Sequence, residues 1–191
     1  MRRFAVWGLV ASVSILFTIL CLSQPEWLRY DRHEIAAGAV WRIISSHFCH
    51  LSWAHLGLNL AALGLTAYVA GPTRSMPQQC ALWLWLFAFT GTGLYLYAPD
   101  LLFYVGLSGA LHGALIVFIS DSPFYPRHVR LIVILVVSGK IIWEQSPWFD
   151  DMANAGLIGG RTETRAHLLG GIAGLLWVGK EYLGRRYEQR R

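Results

Sequence analysis

Charge is scarce in this sequence. Only 14% of its 191 residues are Asp, Glu, Lys or Arg, against 55% hydrophobic. A soluble globule carries about a quarter charged residues, so composition argues against a water-exposed surface of the usual kind. Cysteine is scarce too. Cys21, Cys49 and Cys80 have no metal-ligand spacing, and an odd count excludes a complete disulfide framework. No zinc-protease helix motif is present: His50 and His55 have the wrong separation and no Glu between them. No metal and no cofactor are therefore assigned. The net charge of +5 does not point to nucleic acid, because the basic residues gather at the ends of apolar runs and in the C-terminal tail. No inverted repeat is visible, which disfavours a small transporter.

What the chain has instead is apolar length. The mean hydropathy is +0.44, and nine tryptophans are many for this size. Six apolar runs are predicted as transmembrane helices at about 4–22, 51–70, 80–98, 108–120, 131–143 and 166–182. The expected fold is all-α, a polytopic six-helix bundle forming a single membrane domain over 1–191. The basic start at Arg2 and Arg3 is like that of a signal peptide, but no clear small-residue cleavage site follows, so the first run is read as a span. Arg74, Arg127, Arg130, Lys180 and the tail arginines fall on one side, which places both termini in the cytoplasm. The connections 23–50 and 145–165 then lie outside. The first is expected to form a structured collar with a short amphipathic helix over 35–44, the second a polar, mobile loop.

The fourth run breaks the pattern. It follows YVGLSGALHG, where Gly106 and Gly109 bracket Ser108. A helix over 108–120 covers roughly 20 Å, against roughly 30 Å of hydrocarbon. If its inner end reaches the cytoplasmic interface, Ser108 lies below the outer surface. Non-helical backbone at that depth is tolerated only inside protein or beside water. Ser108 should therefore line a hydrated, enclosed hollow. The plainer alternative is that Ser108 caps the helix and the glycines let helices pack closely.

Other polar residues occupy the same outer half. His55 and Asn59 lie one turn apart on one face of the second run, and His167 opens the sixth. Polar groups at such depth usually face the bundle interior. Histidine is the natural base for a serine nucleophile near neutral pH. Gly170, Gly171 and Gly174 would let the sixth run approach the fourth and bring His167 to Ser108. His55, Asn59 and the Ser108 N–H can donate to an oxyanion. Each has a plainer reading: His167 as an interfacial anchor, Asn59 as interhelical glue. His112, one turn below Ser108, points along its helix and is expected to pack against or bond a neighbour. Lys140 and Glu144 are four apart and form a candidate ion pair.

These pieces together resemble the rhomboid family of intramembrane serine proteases. The resemblance is carried by Trp41-Arg42, by HLSWAHLGLN with His50, His55 and Asn59, by Gly106-x-Ser108-Gly109, and by Ala166-His167-x2-Gly170-x3-Gly174. It implies Ser108 as nucleophile, His167 as general base, and His55, Asn59 and the Ser108 backbone around the oxyanion. Trp41-Arg42 would be structural. Within the family, SSHFCHLSWAHLGLN, GLSGALHG and KIIWEQ are most similar to the rhombosortases of Gram-negative bacteria. That likeness implies a substrate: the C-terminal GlyGly-CTERM transmembrane signal of an exported protein, cut in the inner membrane from the periplasmic side, with membrane lipids as the other partner. The alternatives are a general rhomboid protease for single-span proteins and an inactive rhomboid-like binding protein. Both Ser108 and His167 are present, which speaks against the last.

Overall fold

The computed structural model describes residues 4–24 and 27–188. Arg2, Arg3, Pro25, Arg190 and Arg191 lie outside the described residues. Among the described residues the fold is all-α apart from one two-residue ladder. Six longer helices carry it: α1 (Ala5–Ser23), α4 (Trp53–Val69), α5 (Met76–Tyr97), α6 (Ser108–Ser120), α7 (Arg127–Glu144) and α9 (Thr164–Glu188). Among the described residues, three short α-helices sit in the connections, α2 (Arg32–Ala36), α3 (Arg42–Ser45) and α8 (Ala155–Ile158), with a 3-10 turn at Ser46–Phe48. By length and composition, α1 and α5 are long and apolar enough to cross a membrane.

Local chemistry sets the helix starts. The Ser52 hydroxyl accepts from the His55 N–H at 3.1 Å and so begins α4. Ser75 and Gln78 make a reciprocal capping box at the start of α5. The collar differs from the single amphipathic helix expected over 35–44. Gly38, at φ +110°, breaks it into α2 and α3, because a left-handed backbone ends a right-handed helix. Arg42 is buried in this collar. It donates to the Arg29 carbonyl at 3.2 Å and pairs with Glu34 at 3.7 Å. The collar is also tied to α1 by a Cys21–Cys49 disulfide, which the spacing of three cysteines did not disclose.

Two further departures shape the approach to α6. Residues 30–31 (β1) and 103–104 (β2) pair antiparallel, Tyr30 with Tyr104 and Asp31 with Phe103. The loop 145–165 is not simply polar and mobile. It contains α8, and Ser52 Oγ donates to the Ile158 carbonyl at 3.0 Å.

The core is built around α6. Its Ala110, Leu111, Ala114, Val117 and Phe118 are buried with Trp7, Trp83 and Leu86. By contrast α7 buries only Ile141 and Glu144 and exposes Leu135, Val136 and Ile142. Large exposed apolar patches of this kind suit lipid or a partner rather than water. The packing of α6 on α9 is backbone on backbone. A Cβ on Gly170 would overlap the Gly109 carbonyl, and one on Gly174 would lie 2.6 Å from the Gly113 oxygen. Such close approach supplies dispersion contact between the two helices. At the opposite end from Ser108, Arg74 binds Asp121 and Glu181, joining the α4–α5 turn to the C-terminal end of α6 and to α9.

Candidate active site

Gly106 turns the chain into α6 with φ +126°. A Cβ there would come within 3.0 Å of the His55 ring. The missing side chain therefore lets His55 stand against the turn that presents Ser108. The Gly106 N–H donates to the Ser46 carbonyl at 3.1 Å, and the Tyr104 hydroxyl donates to the Gly106 carbonyl at 2.7 Å. The turn is thus fixed on both sides before the helix begins.

Ser108 is the first residue of α6, and its helix has no side-chain cap. Its hydroxyl instead meets another helix: Oγ lies 2.9 Å from His167 Nε2. This contact follows from the glycine seam, where Gly109 and Gly113 of α6 meet Gly170 and Gly174 of α9 with little between the backbones. The other ring nitrogen, His167 Nδ1, lies 2.8 Å from Glu144 Oε2. Glu144 is buried at the end of α7, and its second oxygen pairs with Lys140. Lys140 Nζ also lies 3.0 Å from His112 Nε2. His112 stacks on the His167 ring at 4.2 Å, and its Nδ1 lies 2.7 Å from the Ser108 carbonyl.

These groups open onto a cavity of about 940 Å³. Ser108, His167, His55 and Asn59 all line it, with apolar walls that include Leu58, Phe103 and Leu157. The four site residues expected from sequence therefore share one hollow. Their bonds differ in kind. Asn59 Nδ2 donates to the His55 carbonyl within α4 at 3.0 Å, and His55 Nδ1 accepts from the Leu51 N–H at 3.4 Å. The second of these bonds leaves the hydrogen of a neutral His55 on Nε2, the ring edge near Gly106. The first turn of α6 adds backbone N–H groups that have no partner within the helix. An anion beside Ser108 would meet these donors and the positive end of a helix dipole.

The histidines of the collar play another part. Burial lowers His47 to about 4, and burial together with the neighbouring His55 lowers His50 to about 3. Both are neutral near pH 7. His47 Nε2 donates to the Phe87 carbonyl at 3.1 Å, and His50 Nδ1 lies 2.9 Å from Thr18 Oγ1. The His50 ring packs edge-on against the His55 ring, with centroids 4.9 Å apart.

A rhomboid-domain family model matches residues 37–181. The chain belongs to the rhomboid family. No curated protein matches it significantly. The match includes His55, Asn59, Ser108, Glu144 and His167 and the α9 glycines that pack on α6. Membership is consistent with intramembrane proteolysis. In this rhomboid, one feature escaped sequence reasoning. Glu144 was legible only as the i+4 partner of Lys140, and its contact with His167 crosses 23 positions of sequence and two helices. His112, Glu144 and His167 also bring ligand-type atoms within 4.8 Å of one another. The Lys140 ammonium already stands at two of the three and supplies the positive charge there.

Proposed function

We propose that this rhomboid is an intramembrane serine endopeptidase in which Ser108 is the nucleophile and His167 its general base. The observation that carries the reading is the 2.9 Å contact between Ser108 Oγ and His167 Nε2 inside a lined cavity. A hydroxyl and an imidazole at that distance can exchange a proton directly. In the first step Oγ attacks the scissile carbonyl carbon and its proton passes to His167 Nε2. The carbonyl oxygen becomes an oxyanion, facing the first-turn N–H groups of α6, His55 and Asn59. The tetrahedral species collapses, the C–N bond breaks, and His167 returns the proton to the leaving amine. Water then attacks the acyl ester, giving one proton to His167; the ester C–Oγ bond breaks, the carboxylic product leaves, and His167 returns the proton to Ser108 Oγ.

The six long helices are read as six spans, with both termini cytoplasmic and the cavity opening toward the periplasm of a bacterial inner membrane. The short α6 supports this, since its thirteen residues cover roughly 20 Å. A serine at that depth needs a wet, protein-lined hollow. The substrate class follows from the likeness of SSHFCHLSWAHLGLN, GLSGALHG and KIIWEQ to rhombosortases: a C-terminal transmembrane segment preceded by glycines. Glycine weakens a helix and bares its carbonyls, so the scissile bond can extend across Ser108.

The test is cleavage of two co-expressed reporters, one with a GlyGly-type tail and one with an ordinary single span. Cleavage of the first alone, lost in Ser108→Ala, is the expected result. Cleavage of both makes this a general rhomboid protease. Cleavage of neither by folded protein returns the chain to a rhomboid-like binding role.

A further inference from the structure

Three side chains that a Ser–His pair does not require, Glu144, Lys140 and His112, close a ring around it. Ser108 Oγ meets His167 Nε2 at 2.9 Å, and His167 Nδ1 meets Glu144 Oε2 at 2.8 Å. Lys140 joins Glu144 Oε1 to His112 Nε2, and His112 Nδ1 returns to the Ser108 carbonyl at 2.7 Å. Chemistry fixes the direction of each bond. A carbonyl only accepts, so His112 Nδ1 donates to it, and the bare His112 Nε2 accepts from the ammonium. An ion-paired carboxylate only accepts, so His167 carries its hydrogen on Nδ1. The nitrogen facing the Ser108 hydroxyl is then the bare one, as a base must be.

We infer that Glu144, held by Lys140, is a positioning residue that fixes the tautomer and ring plane of His167. The inference rests on the reading of Ser108 as nucleophile and His167 as base. The arrangement also balances charge. At rest the ammonium and the carboxylate cancel. When the Ser108 proton reaches His167 Nε2, the new imidazolium lies against Glu144 and the new oxyanion faces the first-turn N–H groups of α6, so the net charge of the buried set stays at zero. The stacked His112 ring, 4.2 Å from His167, blocks rotation out of this plane.

Substitution by an amide gives a specific outcome. In Glu144→Gln, the Lys140 ammonium claims the amide oxygen, which turns the amide N–H₂ toward His167 Nδ1. A donor there favours the tautomer with hydrogen on Nε2, which cannot take the serine proton. The expected loss in kcat is on the order of 10²–10⁴-fold with KM little changed, the pattern of a misplaced tautomer. Adding Lys140→Met frees the amide oxygen to turn back to Nδ1–H. The double variant Glu144→Gln/Lys140→Met should therefore recover at least about tenfold over Glu144→Gln, the converse of what loss of packing would do. Lys140 is half exposed, so its replacement is tolerated.

The experiment measures kcat and KM for the wild type and these two variants on one membrane-embedded substrate, with thermal unfolding as a folding control. It is paired with ¹⁵N-histidine spectra of the wild type, the His167 signals being assigned by His167→Ala. Proton attachment at His167 Nδ1 and partial recovery in the double variant are the expected results. A Glu144→Gln kcat within threefold of wild type would overturn the inference. So would a double variant no faster than the single one, or a wild-type His167 protonated on Nε2. The spectra decide the matter even if Glu144→Gln does not fold. A Ser108→Ala variant that cleaves at the wild-type rate instead removes the underlying protease reading, which none of the Glu144 or Lys140 variants would do.

Discussion

Asn59 commits one amide hydrogen to its own helix, on the His55 carbonyl at 3.0 Å, and carries a second on the same nitrogen. That second hydrogen, on a side chain lining the cavity with Ser108, is the one an oxyanion would meet. Removing one such donor costs roughly 3 kcal/mol of transition-state stabilisation, about a hundredfold in rate. Asn59→Ala and His55→Ala should each slow kcat by about that factor, with the unfolding temperature little changed. Steady-state kinetics on folded variants checks this, and wild-type rates would return both residues to the role of interhelical glue. Ser108, His167, His55 and Asn59 were legible in sequence because a polar group in an apolar run is conspicuous. Glu144 was not, because its visible neighbour Lys140 accounted for it locally. The ring that joins Ser108, His167, Glu144, Lys140 and His112 exists only once α6, α7 and α9 are side by side.

The pairing of α6 with α9 depends on absent side chains. Gly113 faces the Gly170 carbonyl, and Gly174 faces Gly113. Gly174→Val should push α9 away from α6, lower stability by about 1–3 kcal/mol through overpacking, and cut turnover at least tenfold by parting His167 from Ser108. Gly179 lies on the same helix with nothing within 4 Å of its Cβ position, so Gly179→Ala should leave turnover unchanged and raise stability by up to about 1 kcal/mol. Thermal unfolding and cleavage, measured on both variants, check the contrast, and equal behaviour would remove the seam from the account. The small-residue spacing in AHLLGGIAG made this contact legible, since glycine at i and i+4 leaves one bare helix face. The collar was less legible. Whether residues 35–44 form one short helix or two turns on the backbone angle of Gly38, which hydrophobic pattern does not report. The ladder between Tyr30 and Tyr104 is two residues long, too short for any alternation to show.

Taken as a bundle, the chain exposes much apolar surface and buries His47, His50, His55 and His167. The six-span arrangement predicts that residues 73 and 128 face the cytoplasm and that the α8 connection faces the periplasm. Cysteine placed at Thr73, His128 or Ala153, with the exposed Cys80 replaced and the Cys21–Cys49 bridge kept, tests this with an impermeant thiol reagent on intact inner membranes. Labelling from the periplasmic side at Ala153 alone is expected, and labelling at Thr73 or His128 would contradict the topology. The bundle's purpose, on this account, is to hold one activated hydroxyl in a wet hollow below the membrane surface. The most direct measurement is intact-mass analysis of purified protein treated with a serine-directed fluorophosphonate, run beside cleavage of a membrane-embedded substrate. The account predicts a single adduct on Ser108 in the wild type, none in Ser108→Ala, and little or none in His167→Ala, with cleavage lost in step. Cleavage by Ser108→Ala at the wild-type rate would contradict it.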